Sequence, residues 1–102
     1  MNRKQILNEA EKCVCQDREQ QYGAPENSFG AIASLWNSYI ESYDMKLVSK
    51  DGIVCTLDAH DVGIMMCLFK VARIAGGQTK ADNYIDLAGY AACAGEIACK
   101  GE

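Results

Sequence analysis

Basic residues are in the minority, proline and histidine occur once each, and no apolar run reaches membrane-spanning length. With 10 Lys plus Arg against 14 Asp plus Glu, the net charge is −4. That balance lacks the basic footprint of a nucleic-acid binder or an anionic-membrane binder. No stretch approaches the roughly 18 apolar residues of a membrane span. The opening segment, Met1 to Lys12, contains no apolar core of the kind that marks a secretory signal, so a cytoplasmic location is expected. There is no internal repeat and no low-complexity tract. The 102 residues suffice for a single domain, residues 1–102, and a 49% hydrophobic composition is that of an ordinary globular protein.

The cysteines are numerous but unpatterned. Cys13, Cys15, Cys55, Cys67, Cys93 and Cys99 include no Cys-x-x-Cys pair, and the lone His60 cannot complete a common zinc set. In a reducing compartment they are expected to be small hydrophobes or free thiols.

The scarcity of proline leaves long segments free to be helical. The first helix is expected from Arg3 to Gln21, with Ile6, Leu7, Ala10, Cys13 and Val14 as its apolar stripe and Gly23 as its stop. Pro25 suits the first turn of a second helix running to Tyr43, where Phe29, Ile32, Ala33, Trp36, Tyr39, Ile40 and Tyr43 share one face. Residues 46–56 place two short β-type runs around Asp51-Gly52, which reads as a hairpin or as an irregular loop. A third helix is expected from Asp58 to Ala75, ending at Gly76-Gly77, and a fourth from Asp82 to Cys99. The fold class is therefore all-α: a four-helix bundle with a possible small β-hairpin between helices two and three.

Helices three and four carry apolar residues around most of their circumference. A helix apolar all round must be covered on all sides. A second copy is the simplest cover, so a homo-oligomer, dimer or tetramer, through helices three and four is expected.

The acids are the chemically informative residues. At 100° per residue, Asp61 lies among Met65, Leu68 and Ala72, and Asp86 among Tyr90, Cys93 and Ile97, with Asp82 one turn earlier. Asp17 continues the stripe of helix one, and Glu26 precedes Phe29 at the edge of the stripe on helix two. Each helix thus directs an acid toward the interior. Clustered carboxylates repel, and burying them is costly. A divalent cation such as Mg²⁺ relieves both problems and is often shared with substrate phosphates. Glu26, Asp61, Asp82 and Asp86 are the candidate metal ligands, and Asp61 and Asp86 the candidate catalytic acids. The same residues also fit structural roles, with Asp58 and Asp82 as N-caps and Asp61 in the first turn. Arg18, Lys70, Arg73 and Asn83 are the candidate substrate contacts. Lys70 lies about 180° from Asp61, so it is expected to face solvent or a neighbouring copy.

Three blocks look familiar. Asp17-Arg18…Tyr22-Gly23-x-Pro25-Glu26…Phe29-x-x-Ile32-Ala33-x-x-Trp36 is the first; Asp61-Val62-x-x-Met65-Met66-x-Leu68-x-Lys70-x-Ala72-Arg73 is the second. The third is Asp82-Asn83-x-x-Asp86-x-Ala88-Gly89-Tyr90-Ala91-Ala92. Together they resemble a small family encoded by phages and prophages, over about residues 5–96, which implies action inside a bacterial host. The layout also resembles, more distantly, the MazG-type all-α nucleoside triphosphate pyrophosphohydrolases. That likeness implies an Mg²⁺-dependent hydrolase acting on nucleotides in phage metabolism, with Asp58-x-x-Asp61 and Asp82-x-x-x-Asp86 standing where the MazG family has Glu-x-x-Glu and Glu-x-x-Asp. Asp replaces Glu here, and the chain contains no Glu-x-x-Glu. The alternative is a non-catalytic, oligomeric helical interaction protein in which the acids are caps and ion pairs.

Overall fold

The structure, a computed structural model, describes residues 1–17, 20–21 and 23–102. Helix α1 spans Arg3–Lys12. Its start is specified locally by a capping box. The Asn2 side chain accepts the Gln5 N–H at 2.9 Å, and the Asn2 N–H donates to Gln5 Oε1 at 2.8 Å. The predicted continuous helix to Gln21 is not what forms. From Cys13 to Asp17 the chain widens into a π-helical turn, whose extra residue per turn rotates everything after it relative to an ideal helix. A uniform 100° step cannot foresee that rotation. Val14 packs there on the closing helix α4.

Gly23 has φ +77°, the left-handed conformation expected of a stop. Pro25 then opens α2 (Pro25–Ser42) at a position where its missing N–H costs nothing. Phe29 and Ala33 are buried, with Ile32 and Trp36 packed against them. The predicted face does not stay inside along its whole length. Tyr39 and Tyr43 are 66% and 65% exposed and meet each other edge to face, ring centroids 5.3 Å apart.

The chain does form the hairpin. Strands β1 (Leu47–Val48) and β2 (Val54–Cys55) pair antiparallel, Leu47 opposite Cys55 and Val48 opposite Val54. Gly52 takes φ +80° in the connecting turn, and its N–H reaches the Ser49 carbonyl at 2.9 Å. Asn37 then ties the exit of the hairpin to α2. Its amide donates to the Leu57 carbonyl and accepts the Leu57 N–H, both at 2.9 Å.

Helix α3 spans Ala59–Ala75 and α4 spans Ala81–Ala98. Helix α4 is the centre of the bundle, in contact with α1, α2 and α3. Small residues set the spacing. A Cβ on Gly63 would stand 2.9 Å from the Ala94 Cβ, and one on Gly89 would stand 2.8 Å from Val14 Cγ1. Phe29, Ala33, Val62 and Cys93 form the core, and Phe29 meets Tyr90 with centroids 6.2 Å apart. No helix among the described residues is long and apolar enough to cross a membrane, and the six cysteines form no disulfide.

One expected face is inverted. The side of α3 that carries Asp61, Met65, Leu68 and Ala72 points outward, and Leu68 is 61% exposed. The buried side is instead that of Val62, Gly63 and Lys70. Both sides are apolar, so periodicity alone could not choose between them; the Gly63–Ala94 approach decides it.

Candidate functional site

The acids expected to converge are divided between two ends of the bundle. Asp61 sits in the first turn of α3, opposite Asp58 in a reciprocal capping box: the Asp61 N–H donates to Asp58 Oδ1, and the Asp58 N–H to Asp61 Oδ2, both at 2.9 Å. The donated Asp61 N–H holds the Asp58 carboxyl below its usual range. Asp58, His60 and Asp61 bring one ligand atom each within 4.8 Å of one another. Amide donors already occupy one oxygen of each of these two acids. Glu26, in the first turn of α2, pairs with Lys100 at 2.8 Å, and that ammonium holds its carboxyl below the ordinary value.

The other end holds Lys70, Arg73, Asp82, Asn83 and Asp86. Lys70 lies nine residues after Asp61, about 13.5 Å further along α3. Lys100 lies beyond the last turn of α4, which ends about 18 Å along the axis from Asp86. Asp61 and Glu26 therefore do not meet Asp86 within one chain. Lys70 overturns its expected position. It is 9% exposed, and its ammonium meets Asp86 Oδ2 at 2.8 Å. Its 180° offset from Asp61 is real; it places Lys70 on the inner side because Asp61 is on the outer one.

Around that pair the sequence builds a compact polar group. Asp82 is exposed in the first turn of α4, one turn before Asp86 and on the same face. It is not the cap; Lys80 is, with no side-chain hydrogen bond. Arg73, in the last turn of α3, lies over the Phe69 ring with its guanidinium carbon 4.6 Å from the centroid. Asn83 is buried and donates to the Gln78 carbonyl at 2.7 Å, bracing the α3–α4 connection. Arg18 lies outside the described residues.

Asp86 also lines a cavity of about 700 Å³ between the end of α1, α2 and α4. Its walls are mostly apolar, with Phe29, Ile32, Ile85 and Tyr90, and among the described residues Asp86 is its only charged side chain. Small-molecule sites have this size and this economy of polar groups. Sequence reasoning found Asp86 and Tyr90 but not the cavity. Gly89, where an added Cβ would stand 2.8 Å from Val14 Cγ1, also lines it.

Comparison with known proteins adds a family. Residues 5–98 match the Domain of unknown function (DUF6378). The Gene 55 protein of Mycobacterium phage D29 is 33% identical over 92 residues, which is 90% of this chain and 52% of the relative. The Gene 55 protein of Mycobacterium phage L5 is 35% identical over 86 residues, 84% of this chain and 47% of the relative. The chain thus spans about half the length of these curated relatives. No solved structure matches it. The match takes in α1 through the end of α4, including Asp86 and its cavity, and the chain belongs to the DUF6378 family, which has relatives among mycobacteriophage proteins.

Proposed function

We propose that this protein is a MazG-like, Mg²⁺-dependent nucleoside triphosphate pyrophosphohydrolase of phage nucleotide metabolism, working at the Asp86 end of the bundle. The observation that carries this reading is Asp86 itself, held by Lys70 at 2.8 Å on the wall of a 700 Å³ cavity. The donor set suits the metal. Mg²⁺ is commonly held by one or two carboxylates with the remaining positions given to water and substrate phosphate, and Asp82 and Asp86 supply two on one helix face. When bound, Mg²⁺ neutralises phosphate charge and makes a coordinated water more acidic. Lys70 fixes the Asp86 carboxylate in one orientation. Arg73, one turn beyond Lys70, offers a planar donor pair to phosphate oxygens. Phe29 and Tyr90 give the cavity aromatic walls for a base and keep water from it.

A second reading has its own support. Asp58 and Asp61 are already engaged in a cap, and Glu26 and Asp86 in ion pairs with Lys100 and Lys70, which favours a non-catalytic, oligomeric helical interaction protein.

One assay separates the two readings: pyrophosphate release from ribo- and deoxyribonucleoside triphosphates with Mg²⁺, Mn²⁺ or EDTA. The hydrolase reading expects metal-dependent release from at least one nucleotide, lost in Asp86→Asn and Asp82→Asn while Asp61→Asn retains it. Release from no nucleotide, with Mg²⁺ leaving the melting temperature unchanged, overturns the hydrolase reading and favours the interaction protein.

A further inference from the structure

The chain by itself is an incomplete globule. Its accessible surface is 7250 Å², about 1,550 Å² above the roughly 5,700 Å² of a compact monomer of its mass. Its radius of gyration is 15.3 Å, against about 13 Å for a compact domain of this length. Val62 is the largest fully buried side chain. A standard interface takes about 800 Å² from each partner, so the excess is ample for one.

The outward side of α3 is where that surface has the right character. Ile64, Met65, Leu68, Val71, Ala72 and Ala75 occupy one side of the helix, and no charged residue interrupts it between Ile64 and Ala75. Asp61 borders it at the N-terminal end, whereas Arg73, five residues on from Leu68 and so about 140° round the helix, lies off this side over Phe69. The other large exposed apolar group, Tyr39, Tyr43, Met45, Val48, Ile53 and Val54, is interspersed with Glu41, Asp44, Lys46, Lys50 and Asp51.

We infer that α3 pairs antiparallel with α3 of a second copy, making a two-fold homodimer with Leu68 on the axis. Two features of the helix point to a copy of itself. With Leu68 at the centre, Ile64 meets the small Ala72 of the partner subunit, and Met65 meets Val71 of the partner subunit, so large residues face small or branched ones. The two helix dipoles oppose, which a parallel pair would not allow. An isologous contact of this kind is self-complementary and closes at two copies. The pairing holds whether or not the Asp86 end hydrolyses nucleotides.

The test uses the two-fold position. Leu68→Glu and Leu68→Lys each place like charges against themselves at the axis, while a mixture places opposite charges there. Native mass spectrometry and sedimentation should give a wild-type dimer, monomers for each variant alone, and a mixed dimer when the variants are combined in equal amounts. Circular dichroism should show unchanged helicity, because Leu68 is outside the monomer core. Should either variant unfold, Val71→Glu and Val71→Lys, at another exposed position on that side, supply the single-variant arm. A monomeric wild type overturns the inference. So does a dimer that persists in both Leu68 variants, which would place the interface on α2 and the hairpin.

Discussion

Lys70 shows that a helical phase is only as good as the residue it is measured from. Its ammonium is nearly enclosed and bonded to Asp86, whose side chain keeps 27% of its surface in water. Removing one partner of a buried pair leaves the other charge stranded, which is far costlier than replacing both by apolar groups. Lys70→Met should therefore lower unfolding free energy by roughly 2–3 kcal/mol, less than a fully buried pair because Asp86 is part-solvated. The double variant Lys70→Met/Asp86→Leu should recover most of that loss in urea titrations. A loss in the double variant equal to that in the single would mean the pair has little coupling. The sequence identified Asp86 as an acid on an inward face, and that placement stands. It misassigned Lys70, because angles measured from Asp61 assume that Asp61 faces in.

At the scale of elements, local chemistry predicted the starts and stops well. Pro25 at the head of α2, the turn at Gly23, Asp58 before α3 and the hairpin around Asp51-Gly52 all follow from backbone preferences acting over a few residues. The π-helical turn after α1 was not legible, because nothing in Cys13–Asp17 prefers it locally. The α3–α4 contact makes a sharper prediction. Gly63→Ala gains up to about 1 kcal/mol in helix propensity, yet its Cβ would meet the Ala94 Cβ at 2.9 Å and the Ala94 Cα at 3.3 Å. Neither atom can rotate away, and overpacking of this kind costs about 1–3 kcal/mol. The net change should be destabilising by about 1 kcal/mol. In an Ala94→Gly background the same substitution should become stabilising. If Gly63→Ala raises the melting temperature in both backgrounds, the helices do not sit as close as described.

At the scale of the whole molecule, the proposed α3 pairing makes stability depend on concentration. A dimer that forms only between folded chains is stabilised by mass action. The wild-type melting temperature should rise as protein concentration is raised across the micromolar range, and that of Leu68→Glu should stay constant. A wild-type melting temperature independent of concentration would leave the outward side of α3 without its partner. The division of the acids belongs to this scale as well. Asp61 and Glu26 lie toward one end and Asp82 and Asp86 toward the other because α3 and α4 each run most of the length of the bundle. Separations of that kind are invisible to the phase of a single helix.

While leaving the hairpin open against an irregular loop and running the first helix on to Gln21, the sequence by itself determined the all-α class, the four helices, where α1, α2 and α3 start, and that no apolar run is of membrane-spanning length. Those depend on interactions between residues close along the chain, where spacing and capping chemistry are sufficient. The tertiary structure alone decided which apolar side of α3 is core, which acids lie at the same end of the bundle, and that Lys70 pairs with Asp86 beside a cavity. When a helix is apolar on two sides, its own periodicity weighs them equally. Only the close approach of Gly63 to Ala94 breaks the tie, and that contact joins residues 31 positions apart in the chain.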